Sequence, residues 1–304
     1  MAVDKEKLTA LCAEINEKNG KGSAYTIDGE GSVLNIKRWS TGIEDLDSII
    51  GGGMPCGRVV EIYGPEGSGK TSLLYHLCAQ HETALDIPIE GTMDVKRAKV
   101  FGNRKGQMLI YRAMFGEDAF AKAIRFAKAG VPLIGIDSVP SMLPKEDFDK
   151  IVKSADKETI EEPRIGGVAR LMARQLPVVE SVIEITGTTL IFINQVRDKM
   201  NAMLFGEKTD TMGGHKLKHA CSLRLQVARK AWIEIPNKNP CNSAVNEKVG
   251  LIMKVKVVKS KICNPMGECE IPMFFDRGFV GFDDIKDIRK ELMKKRNEEF
   301  KKAK

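Results

Sequence analysis

No stretch of the 304 residues approaches the roughly 18 consecutive apolar residues that span a membrane. The opening segment, MAVDKEKLTALCAEINEKNG, carries acids and no long apolar run, so no secretory leader is expected. Any C-x-x-C pair is also missing. The seven cysteines, at 12, 56, 78, 221, 241, 263 and 269, are odd in number and scattered. That usage argues against a disulfide framework and suits reduced thiols in the cytoplasm. His215, His219 and Cys221 fall close together in HKLKHAC, but without an acidic partner or a second cluster they predict no metal site.

What is present describes a globular chain, 42% apolar and 29% charged, long enough for one large α/β domain with small appendages. The net charge of +7 is uneven: nine Lys or Arg face four Asp or Glu between Lys286 and Lys304. A basic tail of this kind suits a polyanion partner and equally suits simple solvation.

Leu8, Leu11, Cys12 and Ile15 share one face of a helix over 4–18, followed by the Gly-rich NGKGSAYTIDGEGS. That face is buried either on the chain's own core or on another subunit, and the pattern leaves both open. Strand and helix signals then alternate: RVVEIYG, SLLYHLCAQ, ALDIPIE, QMLIYR, EDAFAKAIRFAKAG, VPLIGIDS, a helical stretch around 166–185, and TTLIFINQ. Near-continuous apolar strands separated by helices predict a mostly parallel sheet covered on both faces. After Gln195 the signals change to neighbouring strands with hairpin-type turns: SLRLQVARKAWIEI, VGLIMKVKVVKS and CEIPMFFDRGFVGF. A basic amphipathic helix with Ile285, Ile288 and Leu292 on one face ends the chain. Two long polar segments, 154–167 and 197–216, resist assignment, and loops of that length are usually functional or disordered.

KVKVVKSKIC, residues 254–263, breaks the two-residue period of a strand. Lys254 and Lys256 point one way and Val255 and Val257 the other, yet Lys259 and Lys261 fall on the valine face. A bulge, a strand end or a partner that wants two positive charges would each account for it.

GPEGSGKT, Gly64–Thr71, fits G-x-x-x-x-G-K-[ST] between a strand and a helix. Its glycines permit a turn whose N–H groups face phosphates at a helix N-terminus. Lys70 then reaches the β/γ-phosphates and Thr71 ligates Mg²⁺. Asp137 ends the apolar strand PLIGIDS as a metal-side carboxylate, and Glu90 ends IPIE as the candidate general base. Gln195 closes LIFINQ just before the second long segment, where it would report nucleotide state.

These residues carry a resemblance to the RecA recombinases over nearly the whole chain. It covers STGIEDLDSIIGGGMPCGRVVEIYGPEGSGKT (40–71), IDS (136–138), LIFINQVRDKM (190–200), MGGHKLKHACSLRL (212–225) and KVVKSKI (256–262). The resemblance implies a RecA-like P-loop ATPase core with an N-terminal oligomerisation helix and a short C-terminal helix. It implies ATP with Mg²⁺, single-stranded and double-stranded DNA, a helical homo-oligomer, and a role in recombination and repair. Single-strand-binding and loader proteins are further partners it suggests.

By the same resemblance, Gly64, Pro65, Glu66, Gly67, Ser68, Gly69, Lys70, Thr71 and Ser72 hold the phosphates, while Thr71 and Asp137 hold Mg²⁺ through water. Glu90 is the catalytic glutamate and Gln195 the γ-phosphate sensor. Asp94 is the adenine-side acid, and Arg97 stands where an aromatic residue usually stacks on the base. The loops 154–167 and 197–214 are the DNA loops. Arg164, Gly166 and Arg170 belong with the first; Arg197, Lys199, Phe205, Thr211, Gly213 and Gly214 belong with the second. Lys259 and Lys261 match paired lysines that reach a neighbour's ATP. The expected divisions are 1–35 (oligomerisation helix and linker), 36–272 (ATPase core) and 273–304 (a reduced C-terminal segment). A ring-forming helicase or loader, a DNA-coating protein that barely hydrolyses ATP, and a small-molecule kinase are the competing readings. The paired lysines, the intact Glu90 and Lys70, and the two long loops respectively disfavour them.

Overall fold

The computed structural model describes residues 4–19, 24, 36–91, 95–102, 107–155, 162–164, 166–198, 209–236, 246–265 and 267–302. Two compact units emerge, residues 1–37 and 38–304. In the first, α1 (Lys5–Asn19) is the amphipathic helix that the spacing predicts, with Leu8 and Leu11 exposed. Asn16 fastens Ala24 beside it, donating to the Ala24 carbonyl at 2.8 Å and accepting from its N–H at 3.0 Å.

The second unit opens with β1 (Arg38–Trp39), α2 (Glu44–Ile49) and β2 (Met54–Pro55); β1 and β2 pair antiparallel. The alternating part follows as β3 (Val59–Gly64), α3 (Lys70–Cys78), β4 (Thr83–Pro88), α4 (Val95–Gly102), β5 (Gln107–Ile110), α5 (Gly116–Lys128) and β6 (Leu133–Asp137). Then come α6 (Lys145–Ala155), α7 (Gly167–Thr186), β7 (Thr189–Asp198), β8 (Thr209–Thr211) and α8 (Gly214–Ala220). Meandering strands β9 (Leu223–Ile235), β10 (Glu247–Ser260), β11 (Glu268–Phe274) and β12 (Gly278–Phe279) precede α9 (Ile285–Lys302).

The main sheet runs β12-β11-β10-β9-β3-β7-β6-β4-β5. It is parallel from β9 through β5 and antiparallel from β9 to β12. This is the mostly parallel sheet flanked by helices that the alternating pattern predicts. Alternation along β3 feeds both faces: Val60 and Ile62 join one core with Leu73, Leu74 and Leu77 of α3. Val59 joins the other with Ala119, Phe120 and Ala123 of α5 and Leu171, Leu176 and Val179 of α7. Each fully buried Leu, Ile or Phe contributes about 1.5–3 kcal/mol, so these two layers hold the sheet in one register. The basic α9 lays Ile285, Ile288 and Leu292 against Ile233 and Phe274 and pairs Arg296 with Glu247 at 2.5 Å. Among the described residues no helix is long and apolar enough to cross a membrane. Six of the seven cysteines are described, and all six are free thiols.

The structure departs from the sequence expectation at both long segments. The expected loop 154–167 begins inside the last turn of α6, where Ser154 is buried and donates to the Ile151 carbonyl at 2.8 Å. Six charged residues in KEDFDKIVKSA mask the short stripe formed by Phe148, Ile151 and Val152. Likewise β7 continues to Asp198 and pairs with β8, so the second segment begins within a strand pair rather than as a loop from residue 197.

One core residue breaks the burial rules. Asp86, mid-strand in β4, is fully buried, and neither carboxyl oxygen forms a well-oriented hydrogen bond among the described residues. Burial lifts its pKa to about 8, the nearby Asp137 charge adds to the rise, and the Ile87 N–H offsets only part. Above the ordinary 3.8 the unfolded chain ionises while the native chain keeps its proton, so stability falls as pH climbs toward 8. The accumulated loss is about 6 kcal/mol, at roughly 1.36 kcal/mol per pH unit. Asp86→Asn is expected to flatten that slope in urea unfolding, with its advantage largest near the upper end of the window and vanishing toward about pH 4. A gap between the two proteins that stays constant with pH would show that this carboxyl does not titrate in the native state.

Candidate nucleotide and DNA site

Four neighbouring strands deliver the polar groups. β3 ends at Gly64, where a Cβ would lie 1.9 Å from the Val227 carbonyl oxygen of β9. The chain turns through Pro65, Glu66 and Gly67 to Gly69, the N-cap of α3, with φ of 66° at Gly67 and 92° at Gly69. Ser68 Oγ braces the turn by donating to the Pro65 carbonyl at 2.8 Å. The first N–H groups of α3 have no intrahelical acceptor, which makes this turn an anion cradle. Lys70 is buried and donates to the carbonyls of Gly64 at 3.0 Å and Pro65 at 2.7 Å. Burial lowers its pKa, while Asp137, Glu90 and Glu66 pull it back up. Its third N–H is left for a ligand oxygen.

Thr71 Oγ1 donates to Asp137 Oδ2 at 2.6 Å. Burial raises Asp137 to about 6, against the lowering effect of that hydrogen bond. Beside them Ser72 Oγ is buried without a partner among the described residues. A hydroxyl and one carboxylate are a hard-oxygen set that fits Mg²⁺, whose remaining ligands would be water and phosphate oxygens. Among the described residues no cluster of three or more His, Cys, Asp or Glu stands ready to hold a metal by protein groups alone.

Glu90 is exposed just past β4. Its Oε1 accepts hydrogen bonds from Ser138 Oγ and from Gln195 Nε2, the latter at 3.1 Å. Lys70, Thr71, Asp137, Glu90 and Gln195 are therefore brought together at the carboxyl ends of β3, β6, β4 and β7, where a doubly wound sheet binds its ligand. Sequence reasoning missed Ser138, which follows the strand-end acid and gives no signal of its own. It also missed the buried Glu61 and the half-buried Arg224 that pairs with it, Nε to Oε2 at 2.5 Å. Charged residues interrupting VVEIY and SLRL were the available sign.

Lys199, Phe205 and Asp94 lie outside the described residues, as do 156–161 and 165 of the first expected loop. Arg197 is exposed on β7, and Gly213 (φ 92°) caps α8 with Gly214 (φ 70°) as its first residue. Thr211 faces inward at 9% exposure and accepts from Arg224 Nη2 at 3.2 Å. Gly166 (φ 75°) caps α7, and Arg170 is exposed in its first turn. Arg164 is held by Glu146 at 3.2 Å and Asp147 at 3.6 Å.

The parity break in β10 is a bulge: its register against β9 shifts between Val257 and Lys259, and the strand stops at Ser260. Lys259 Nζ donates to the last carbonyls of α8, at 2.5 Å from Lys218 O and 3.2 Å from His219 O. Burial and the neighbouring Lys261 charge lower its pKa. Lys261 is exposed. Ser260 Oγ accepts from the N–H groups of Ile262 and Cys263, closing the turn, and Arg38 Nη2 holds the Ile262 carbonyl at 2.6 Å. The same guanidinium donates through Nη1 to Ile50 O at 2.9 Å and Gly53 O at 3.3 Å. Far from this turn, Arg97 is exposed on α4 with its guanidinium 5.9 Å from the Phe275 ring centre.

Residues 6–280 match the family described as the RecA N-terminal domain. The chain is 35% identical over 294 residues to Protein RecA of Campylobacter fetus, covering 95% of this chain and 80% of that protein. It is 36% identical over 259 residues to Protein RecA of Mycoplasma genitalium, covering 83% and 71% respectively. With Protein RecA of Helicobacter acinonychis the identity is 33% over 301 residues, covering 96% and 82%.

The cradle makes a graded prediction. Gly64→Ala drives a methyl into a backbone carbonyl and is expected to destabilise the fold by more than about 3 kcal/mol in urea unfolding. Gly67→Ala, whose Cβ meets only the mobile end of Arg229 at 3.3 Å, is expected to cost about 1–2 kcal/mol from its positive φ. Equal losses would contradict the close approach at Gly64.

Proposed function

The chain belongs to the RecA family of recombinases, and we propose that it assembles as helical filaments on single-stranded DNA. In that form it hydrolyses ATP and exchanges the bound strand with homologous duplex. The observation that carries this reading is the Gln195–Glu90 hydrogen bond. It joins the strand end that leads into the β7–β8 hairpin to a carboxylate beside the phosphate cradle.

Each residue has work suited to its surroundings. Lys70 and the N–H groups opening α3 bind the phosphates, and phosphate oxygens take up the ammonium hydrogen that Gly64 and Pro65 leave free. Thr71 and Asp137 would hold Mg²⁺, which supplies charge neutralisation at the β- and γ-phosphates. Lys70 is surrounded by Asp137, Glu90 and Glu66, so a polyanion meets excess negative charge here unless a divalent cation accompanies it. Glu90 is solvent-accessible, and Ser138 and Gln195 fix its carboxylate, which suits it to orient and deprotonate an attacking water. Arg164, Gly166 and Arg170 at the first loop, and Arg197, Lys199, Phe205, Thr211, Gly213 and Gly214 at the second, are assigned to DNA. Arginines and backbone N–H groups would take phosphates there, and Phe205 would stack among bases. Asp94 and Arg97 are assigned to the base side, where the planar guanidinium would stack as an aromatic does.

Lys259 and Lys261 act in trans on a neighbour's γ-phosphate. The bulge and turn leave Lys261 exposed and put Lys259 on carbonyls that a phosphate oxygen would replace. The α1 helix, with Leu8 and Leu11 exposed, is assigned to packing on an adjacent protomer.

The Lys259→Ala/Lys261→Ala protein is expected to fold, bind nucleotide and lose about 1000-fold in DNA-stimulated hydrolysis. Mixing it with Lys70→Ala protein restores a fraction of junctions in which one subunit offers the phosphate cradle and its neighbour the lysines. Normal hydrolysis by the double variant would remove the in-trans role. Strand exchange with homologous but not heterologous duplex, and helical filaments by electron microscopy with ATP and single-stranded DNA, are the wider expectation. Closed rings, or hydrolysis indifferent to DNA, would overturn it.

A further inference from the structure

A charge inside a central strand is costly unless it is paired, and the strand that leads into the phosphate cradle carries one. Glu61 lies in β3 with its side chain fully buried. Its two oxygens accept from two different neighbours: Oε2 from Arg224 Nε at 2.5 Å and Oε1 from Asn194 Nδ2 at 2.8 Å. Register accounts for the convergence. Glu61 stands opposite Arg224 in β9 and Phe192 in β7, and Asn194 lies two residues beyond Phe192 on the same face.

Both donors reach further. Arg224 packs its guanidinium 4.8 Å from the Tyr63 ring centre and donates through Nη2 to Thr211 Oγ1. Asn194 donates its second amide hydrogen to the Met212 carbonyl at 2.8 Å, and its Oδ1 accepts from the Gln195 N–H at 2.9 Å. Both ends of the segment closed by the β7–β8 hairpin are thus tied to one carboxylate: the outgoing end at Asn194–Gln195 and the returning end at Thr211–Met212. Stability alone does not call for this arrangement, because well-packed apolar side chains of similar volume often hold a sheet as well or better. What an apolar contact lacks is direction. A planar guanidinium donates along fixed axes to two acceptors at once.

We infer that Glu61 and Arg224 are a positioning pair that keeps the hairpin in register with the Gln195–Glu90 contact, so that nucleotide state sets DNA affinity. The inference rests on the proposed reading of 197–214 as a DNA-binding loop. Neither residue touches nucleotide or DNA in this scheme; they act through Asn194, Gln195 and Thr211.

The test uses the full chain, a fluorescein-labelled oligothymidylate, Mg²⁺, and either ATPγS or ADP. The readout is the ratio of the two DNA dissociation constants, which a merely structural role would not move. Glu61→Gln and Arg224→Lys are each expected to reduce that ratio about tenfold while affinity for a fluorescent ATP analogue changes less than about twofold. Arg224→Lys keeps the charge on Glu61 and loses the reach to Thr211, so it separates positioning from loss of a buried ion pair. The neutral Glu61→Gln/Arg224→Gln protein avoids an orphaned buried charge and is expected to fold and to lose the ratio as well. A ratio within about twofold of wild type in any variant with native circular dichroism overturns the inference, as does a loss that merely follows nucleotide affinity. If the wild-type protein itself binds the oligonucleotide equally well with either nucleotide, the proposed function fails instead.

Discussion

The nucleotide half of the molecule depends on one constraint: β3 must lie fully buried between β7 and β9, parallel to both, with its last residue lacking a side chain. The pairing of Gly64 with Gln195 and of Tyr63 with Gln226 sets how far each strand projects beyond the sheet. The phosphate turn, the Asp137 carboxylate and the Gln195 amide consequently end at nearly the same level. A one-residue slip would turn Val60 and Ile62 away from α3 and put the side chain of Glu61 among leucines. Hydrophobic layering on both faces is what forbids it.

Electrostatics at this edge run against the fold. Asp86, Asp137 and Glu90 lie along β4 and the neighbouring end of β6, and burial pushes the first two carboxyls up, Asp86 to about 8 and Asp137 to about 6. Lys70, itself held below its ordinary pKa by burial, is a counter-charge to Asp137 and Glu90. Such a site is under-stabilised when empty and gains on binding a metal–phosphate ligand, which is the usual exchange of stability for function. Asp86 does not fit that account, because it faces the core rather than the cradle, and its burial is a net burden on the native state.

Much of this was legible in the chain. GPEGSGKT between an apolar strand and a helix, and acids or amides closing three other apolar strands, locate the cradle and its companions before any coordinates. The strand ends come out within a few residues because continuous apolar runs are bounded by Gly, Pro or charge. Helix α6 was not legible, since its apolar stripe is three residues among many charges. The hairpin base at Val196–Asp198 was hidden for a related reason: a short polar ladder leaves no hydrophobic period. Glu61 and Arg224 could be seen as anomalies, but their partnership depends on two strands more than 160 residues apart lying side by side. The irregularity at Lys259 was visible as a parity break, and the shift in register against β9 identifies it as a bulge.

Arg38 carries a consequence for how the chain assembles. Its guanidinium joins the first strand of the larger unit to Ile262, 224 residues later. Contacts across such a span form late, because closing a long loop costs entropy before any contact offsets it. The turn that presents Lys261 therefore takes its shape only after the intervening sheet is in place. A protomer still incomplete in its central strands has no ordered turn at Lys261, so this turn reports that folding has finished.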